Sequence, residues 1–269
     1  MWLRKRLADA FILKPTRHPI EQPRLSLRRC FDGPFGRVEC FGFRKPPGGE
    51  PEAAEHDAPP ADLLILKLPG TGGRAERSSA FPAQMFSGRD VETWVWNPPG
   101  YGGSEGKATL SAMPPTVLSL WDQVVSERCG DETETLVMGN SLGCATALYL
   151  ASERSPDALL LRNPPPLVEL VQAGNAWWNG FHGGTWIAKA IVDEMNAMLT
   201  GTKCRAKALF IRSGRDSLVL PSMQAQIFDK YGGPKTLFEL KDADHATPLL
   251  DEDLPILKQH LLAMMGSRK

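Results

Sequence analysis

The most constraining feature of the sequence is a pair of glycines around one serine, Gly139-x-Ser141-x-Gly143. Residues 135–138 before it are β-branched and apolar, which suits a buried strand, and residues 142–151 after it are small and apolar with helical spacing. A strand that turns directly into a helix needs residues without bulk on both sides of the turn, because the backbone there is strained. We therefore expect Ser141 at the apex, beside the free N–H groups of a helix N-terminus, which favour developing negative charge.

The rest of the chain alternates strand and helix signals. Residues 23–45 predict two antiparallel strands at a sheet edge, and residues 46–61 predict an exposed loop. Apolar runs predict buried strands at 63–68, 91–96, 135–138, 158–161, 208–211 and 236–240, with helices between most of them. This alternation indicates an α/β fold over residues 1–269, a single domain with a mostly parallel central sheet and helices on both faces.

Two further residues are candidates for the base and the acid that a catalytic serine needs. Acyl transfer by serine needs a base that takes the hydroxyl proton and an acid that orients the base. Asp216 follows the strand at 208–211, and His245 follows the strand at 236–240. The carboxyl ends of parallel strands meet at one edge of a sheet, where ligands of open α/β sheets bind. We therefore expect Ser141, Asp216 and His245 to converge there as catalytic residues.

Alternatives to these partners are few. His18 and His56 precede the serine in irregular segments, and the other histidines are His182 and His260, in an aromatic-rich segment and a terminal helix. Asp244 is a rival acid, but it adjoins His245 in sequence and cannot easily reach the far ring nitrogen; Asp242 is a weaker rival.

The loop Pro69-Gly70-Thr71-Gly72-Gly73 has two interpretations. A phosphate-binding loop is disfavoured, because no Gly-Lys-Ser/Thr follows. The other interpretation comes from the combined motifs. The strand–serine–helix turn, the loop at 69–73, Gly100-x-Gly102-x-Ser104, Asp216 and His245 resemble the α/β-hydrolase family over about residues 25–265.

The resemblance implies that Ser141 stands on a nucleophile elbow and that the backbone N–H groups of Thr71 and Leu142 form an oxyanion hole. Pro69 stands where the family commonly has histidine. The Gly100-x-Gly102-x-Ser104 turn is expected to be mainly structural.

The resemblance also implies a short helical lid over the active site at residues 167–203. Aromatic residues cluster at Trp177, Trp178, Phe181 and Trp186, and a helical stripe follows at Ile187, Ile191, Met195 and Met198. Such a lid would form an apolar pocket for an acyl or alkyl group; the alternative is that these residues are core. No substrate-binding residue is assigned.

Composition limits the remaining functions. With 31 basic and 31 acidic residues, the net charge is zero, which disfavours nucleic-acid binding. Five cysteines without a C-x-x-C pair argue against a disulfide framework or a metal site and favour a cytoplasmic location. No run is long enough for a membrane span. Trp2, Leu3, Leu7, Phe11 and Ile12 share a helical face that either packs on the protein, the favoured reading, or lies on a membrane surface.

The sequence therefore predicts a carboxylesterase-like serine hydrolase that cleaves a small-molecule carboxylic ester, a thioester or an amide through an acyl-enzyme, with no metal or organic cofactor. Two alternatives remain: an inactive hydrolase-fold protein used for binding or as a scaffold, and an acyltransferase with the same triad. No oligomeric state follows from the sequence.

Overall fold

One mixed β-sheet runs through the molecule. The computed structural model describes residues 2–23, 26–174 and 183–266. In these ranges the strand order is β1-β2-β5-β4-β6-β7-β8-β9, with β3 paired to β2. The strands are β1 Leu27–Phe31, β2 Val38–Lys45, β3 Glu52–Ala53, β4 Leu63–Leu68, β5 Val91–Trp96, β6 Glu134–Asn140, β7 Ala158–Arg162, β8 Lys207–Ser213 and β9 Lys235–Leu240.

The sheet has two parts that differ in strand direction. β1, β3 and β5 all pair with β2 in antiparallel fashion, whereas the ladders from β5 through β4, β6, β7 and β8 to β9 are parallel. The predicted mostly parallel sheet with an antiparallel edge is confirmed. All residues of β4 are buried, as expected of a central strand covered on both faces.

Helices cover both faces of this sheet. They are α1 Trp2–Ile12, α2 Met113–Arg128, α3 Leu142–Glu153, α4 Leu167–Gly174, α5 Gly183–Ala188, α6 Ala197–Lys203, α7 Pro221–Lys230 and α8 Asp253–Met265. Buried residues of α2, α3, α6 and α7 join one apolar cluster, and those of α8 join the cluster on the other face, together with residues 75–86. No helix in the described ranges combines the length and the apolar character needed to cross a bilayer.

The N-terminal helix packs differently from its prediction. Of the five residues expected to share a packed face, only Ile12 is buried, and Ala8 and Leu13 join it in the core. Trp2, Leu3, Leu7 and Phe11 are exposed, with Trp2 at 68%. The helix therefore docks through a narrow stripe of small and branched residues, and the wider apolar face predicted to pack is on the surface.

The segment 46–61 is less open than predicted. β1 covers the edge of β2 only as far as Gly42, and β3 pairs with Phe43 and Arg44 just beyond it. An exposed strand edge presents unpaired N–H and C=O groups, and this short pairing satisfies some of them. It also brings Ala54 into the core.

The predicted stripe from Ile187 to Met198 is not one helix. α5 ends at Ala188, a 3-10 turn spans Asp193–Met195, and α6 begins after Asn196, whose side chain accepts the N–H of Met198. This N-cap stabilises a new helix start and interrupts the stripe. Ile191, Met195 and Met198 lie in the core cluster that includes α3. Trp177, Trp178, Phe181 and His182 lie outside the described residues, and the lid role of 167–203 stays a prediction.

Candidate active site

The turn between β6 and α3 holds Ser141 in a strained conformation. Its φ is 49° and its ψ is −120°, a region that non-glycine residues rarely adopt. A Cβ on Gly139 would lie 2.7 Å from the Cα of Cys144, and a Cβ on Gly143 would lie 2.0 Å from the carbonyl oxygen of Leu68. Both glycines are therefore needed so that α3 can start close to β6 and to the end of β4.

Ser141, His245 and Asp216 form one hydrogen-bonded chain. The Ser141 hydroxyl lies 3.0 Å from Nε2 of His245, and Nδ1 of the same ring lies 2.7 Å from Oδ2 of Asp216. An ionised carboxylate only accepts, so Nδ1 carries the proton and Nε2 is free to accept from the serine. The structure thus brings together the three residues expected to form the site, each from the carboxyl end of a different strand.

The carboxylate of Asp216 is buried and fully engaged. The residue is 1% exposed. Its Oδ1 accepts the backbone N–H groups of Leu218 and Val219 at 3.0 and 2.8 Å, and its Oδ2 accepts Nε2 of Gln224 at 2.9 Å as well as the imidazole. These donors fix the carboxylate plane against the ring, which is the geometry needed to hold one histidine tautomer.

The rival acids lie elsewhere. Asp244 is exposed and accepts the backbone N–H groups of Ser217 at 2.9 Å and His245 at 2.7 Å. These backbone donors, Ser217 first, lower the pKa of Asp244. Asp242 pairs with Arg215 at 2.6 Å on the surface. Asp216 is thus the acid that the structure joins to the imidazole.

Two supporting residues have no clear signal in the sequence. Asn163, with a φ of 51°, donates from Nδ2 to the carbonyl oxygen of His245 at 3.3 Å and to Oγ of Ser213 at 3.0 Å. Asparagine tolerates this left-handed conformation better than most residues. In the sequence, the three prolines after Asn163 indicate only that a strand ends there, and they do not indicate a contact with His245. Gln224 lies in the first turn of α7, and its contact with Asp216 depends on the fold of the intervening loop.

The loop at 69–73 packs directly against the serine. A Cβ on Gly70 would lie 3.1 Å from the Cβ of Ser141. The phenol oxygen of Tyr101 accepts the backbone N–H of Lys14 at 3.2 Å. Lys14 in turn lies against Gly72 of the loop, where an added Cβ would be 3.5 Å from the Cβ of Lys14. The N–H groups of Thr71 and Leu142 donate no hydrogen bond to another described residue, as an oxyanion hole requires. Their role as donors stays a prediction.

The Gly100-x-Gly102-x-Ser104 turn serves the fold. The buried Ser104 hydroxyl donates to the carbonyl oxygen of Asn97 at 2.6 Å and accepts the N–H of Glu39 at 2.8 Å. This hydroxyl thereby links Asn97, the first residue after β5, to Glu39 of β2.

A cavity of about 480 Å³ opens beside Gly70 and Asn140, the neighbours of Ser141 in space and in sequence. It is lined by Lys67, Leu68, Pro69, Gly70, Gly73, Arg74, Arg77, Ser78, Ser79, Phe81, Val95, Met138, Asn140, Arg162, Pro248, Leu249 and Leu254. The described residues of 167–203 contribute none of this lining. The sequence left the substrate-binding residues unassigned, and this cavity adjoins Asn140, the residue next to Ser141.

Comparison of the sequence with known proteins finds a distant relative of this chain. No protein-family model matches the chain. An uncharacterised protein of Mycobacterium tuberculosis (strain ATCC 25618 / H37Rv) is 24% identical over 183 residues, 67% of this chain and 62% of that protein. The chain thus spans less than two thirds of the length of this relative.

Two solved structures share the fold. The alpha-beta hydrolase from Vibrio vulnificus superposes with a TM-score of 0.67 at 16% identity, over 89% of this chain and 81% of that one. An esterase from Pyrococcus furiosus superposes with a TM-score of 0.65 at 13% identity, over 95% of this chain and 98% of that one.

Proposed function

We propose that this chain, which has the α/β-hydrolase fold, is a serine hydrolase that cleaves a carboxylic ester, or a thioester or amide, through an acyl-enzyme. The observation that carries the proposal is the continuous hydrogen-bonded chain from the Ser141 hydroxyl through His245 to Asp216, at 3.0 and 2.7 Å.

In the proposed mechanism His245 accepts the Ser141 proton at Nε2 while the serine oxygen attacks the carbonyl carbon. Asp216 stabilises the imidazolium that forms. The N–H groups of Leu142 and Thr71 bind the oxyanion, and the imidazolium then protonates the leaving group as the tetrahedral intermediate collapses. Water, activated by the same histidine, releases the acid and restores the serine.

Two features of the site support this chemistry over a structural role for the serine. The strained φ of 49° at Ser141 costs about 1–3 kcal/mol, which a merely structural turn would not need. Asp216 is also buried with four donors around it, so the imidazole is held in place before substrate binds. Transfer of the acyl group to an acceptor other than water would use the same residues.

The five free cysteines support the proposal of a reducing, cytoplasmic environment.

The test combines a variant with a covalent probe. Ser141→Ala should lower hydrolysis of 4-nitrophenyl esters of graded chain length by about 10³-fold or more and should abolish labelling by a fluorophosphonate. Ser126→Ala, which removes an exposed hydroxyl on α2, is the matched control and should behave as the wild type. Full activity in Ser141→Ala would refute the mechanism. A folded wild type that neither hydrolyses esters nor takes the label would favour the inactive binding protein.

A further inference from the structure

The cavity beside Ser141 is cationic in a protein with no net charge. Its lining includes the four basic side chains of Lys67, Arg74, Arg77 and Arg162, and no carboxylate is among its described lining residues. The whole chain carries 31 basic and 31 acidic residues, so the imbalance is local. Low-dielectric walls around charges of one sign focus the field and attract ligands of the opposite sign.

Lys67 lies in the floor of the cavity. It pairs in register with Val95 on β5 and Met138 on β6, and both neighbours also line the cavity. The residue is only 9% exposed, and its Nζ has one hydrogen bond, to the carbonyl oxygen of Ser79 at 2.7 Å. An ammonium group has three N–H donors, so two directions remain open. Burial lowers the pKa of Lys67 to about 7.

Arg162 lies on β7, two strands from Lys67 in the sheet, and also lines the cavity. It pairs in register with Asn140, and the backbone carbonyl oxygen of Arg162 accepts the N–H of Ser141 at 2.8 Å. One guanidinium nitrogen donates to the carbonyl oxygen of Thr247, whereas the buried Nε has no hydrogen-bond partner in the described chain. A buried donor without a partner is costly and marks a place for an acceptor. The charges of Asp253 and Asp216 act on this guanidinium, but no hydrogen bond joins them to it.

The other two arginines differ in how far they are neutralised. Arg74 is paired with Glu76 and also donates to the carbonyl oxygen of Thr16 at 2.9 Å. Arg77 is exposed and has no ion pair with a described residue. The positive charge present before a ligand binds therefore comes from Arg162 at the side and Arg77 in the exposed part of the lining, and Lys67 in the floor adds a further charge when it takes up a proton.

The position of Lys67 also sets a distance. Lys67 pairs with Met138 of β6, and Met138 precedes Ser141 by three residues. Three residues of extended strand span about 10 Å along the chain. The flexible four-carbon stem of the lysine shortens the gap that a ligand has to span. An anion held there would be separated from the attacked carbonyl by a short chain, and Met138, Val95 and Leu249 provide apolar contacts for that chain.

Resting on the proposed function, we propose that the site selects esters whose acyl group ends in an anion, such as the free carboxylate of a dicarboxylic half-ester, and that Lys67 and Arg162 bind this carboxylate. Charge-assisted hydrogen bonds in a buried site are stronger than neutral ones, so the preference over an uncharged acyl group should be large. Because the amine of Lys67 is largely neutral at pH 8, binding of the carboxylate should be accompanied by uptake of a proton from solvent.

The first experiment compares two esters of equal shape. Mono-4-nitrophenyl adipate carries a terminal carboxylate, and 4-nitrophenyl 6-methylheptanoate replaces it by an isopropyl group. The wild type should favour the adipate ester in kcat/KM by about tenfold or more. Lys67→Met should lower this ratio by at least the same factor. Lys45→Met is the matched control, because Lys45 is a buried sheet lysine bonded to a carbonyl oxygen, that of Pro46, outside the cavity, and it should leave the ratio unchanged.

A second experiment does not depend on turnover or on the folding of the lysine variant. Binding of adipate itself to Ser141→Ala is measured by calorimetry at pH 8 in two buffers of different ionisation enthalpy. We expect saturable binding with uptake of close to one proton. Absence of binding, or binding without proton uptake, would overturn the assignment to Lys67.

The two experiments distinguish failure of the proposed anion site from failure of the proposed hydrolase function. Ser141-dependent hydrolysis with an adipate ratio at or below one, or with a high ratio that Lys67→Met leaves intact, would refute the anion site and leave the hydrolase standing. Adipate binding with proton uptake in a protein that hydrolyses no ester would uphold the anion site and refute the proposed function.

Discussion

The side-chain amide of Asn163 donates to the backbone carbonyl oxygen of His245 at 3.3 Å, so the first residue after β7 holds the loop that follows β9. The same amide also accepts the N–H of Ser213 at 2.9 Å through its oxygen. One buried side chain thus connects the exits of three strands beside Ser141, and the position of the imidazole depends on it.

Asn163→Gly removes this amide and keeps a residue that tolerates the φ of 51°. We expect kcat to fall by about 10- to 100-fold, because small displacements of a catalytic group have effects of this size. Asn163→Ala should be less stable than Asn163→Gly by about 1–2 kcal/mol, since alanine is strained in this conformation. Ester kinetics and urea unfolding measure both, and a kcat equal to that of the wild type in Asn163→Gly would exclude the positioning role.

The two aspartates near His245 should differ sharply on loss of charge. Asp216→Asn should lower kcat by about 10⁴-fold, because an amide at this position favours the wrong histidine tautomer. Asp244→Asn keeps an oxygen that can accept from the backbone N–H groups of Ser217 and His245, and its effect on kcat should stay within about tenfold. Comparable losses in the two variants would contradict the assignment of Asp216.

The close approach of α3 to β4 predicts a large cost for one added methyl group. In Gly143→Ala the new Cβ would lie 2.0 Å from the carbonyl oxygen of Leu68, so backbone has to move, and we expect destabilisation by about 3 kcal/mol or more. Gly201→Ala is the control. Its new Cβ meets nothing nearer than Leu148, at 3.9 Å, inside α6, where alanine is favoured over glycine by up to about 1 kcal/mol. Denaturant midpoints of the two variants should shift in opposite directions.

The buried lysine makes stability depend on pH. The pKa of Lys67 falls from 10.5 to about 7 on folding, so the unfolded chain binds more protons between these values and stability rises with pH there. Protonating the folded state at low pH therefore costs about 4–5 kcal/mol, a penalty that methionine lacks. Lys67→Met should exceed the wild type in stability most below pH 7, with the excess shrinking as pH rises towards 10. An excess that is the same at pH 6.5 and pH 9.5 in urea unfolding would contradict the low pKa.

Local patterns were sufficient to predict most of the scaffold. The strand–glycine–serine–glycine–helix order around Ser141 is a short-range constraint, and the apolar runs of the buried strands show without tertiary context. Asp216 and His245 could be placed because both follow predicted parallel strands, whose ends share one edge. Cys144 belongs to the run 142–151 that was expected to form a helix, and it is fully buried in the first turn of α3.

Contacts between distant segments could not be predicted in the same way. Gln224 reaches Asp216 only because the loop at 217–220 turns back on itself, and Asn163 acts through residues 50 and 82 positions away. Lys67 interrupts an apolar run by one residue, and periodicity alone does not show that its side chain lies in a cavity. The sequence also could not show which way the methionines of residues 167–203 face. Met195 and Met198 belong to the core cluster that includes α3.

The position of β9, the strand before His245, affects where the protein unfolds first. β9 pairs only with β8 in the described sheet, so it is an outer strand, whereas β6 before Ser141 lies between β4 and β7. Outer strands open at lower free energy than the centre of a sheet, and such fraying would carry the imidazole away while the serine turn stays folded. Mild heat or denaturant would then abolish the proposed hydrolysis before the helices unfold, and cooling would restore it without refolding of the whole chain.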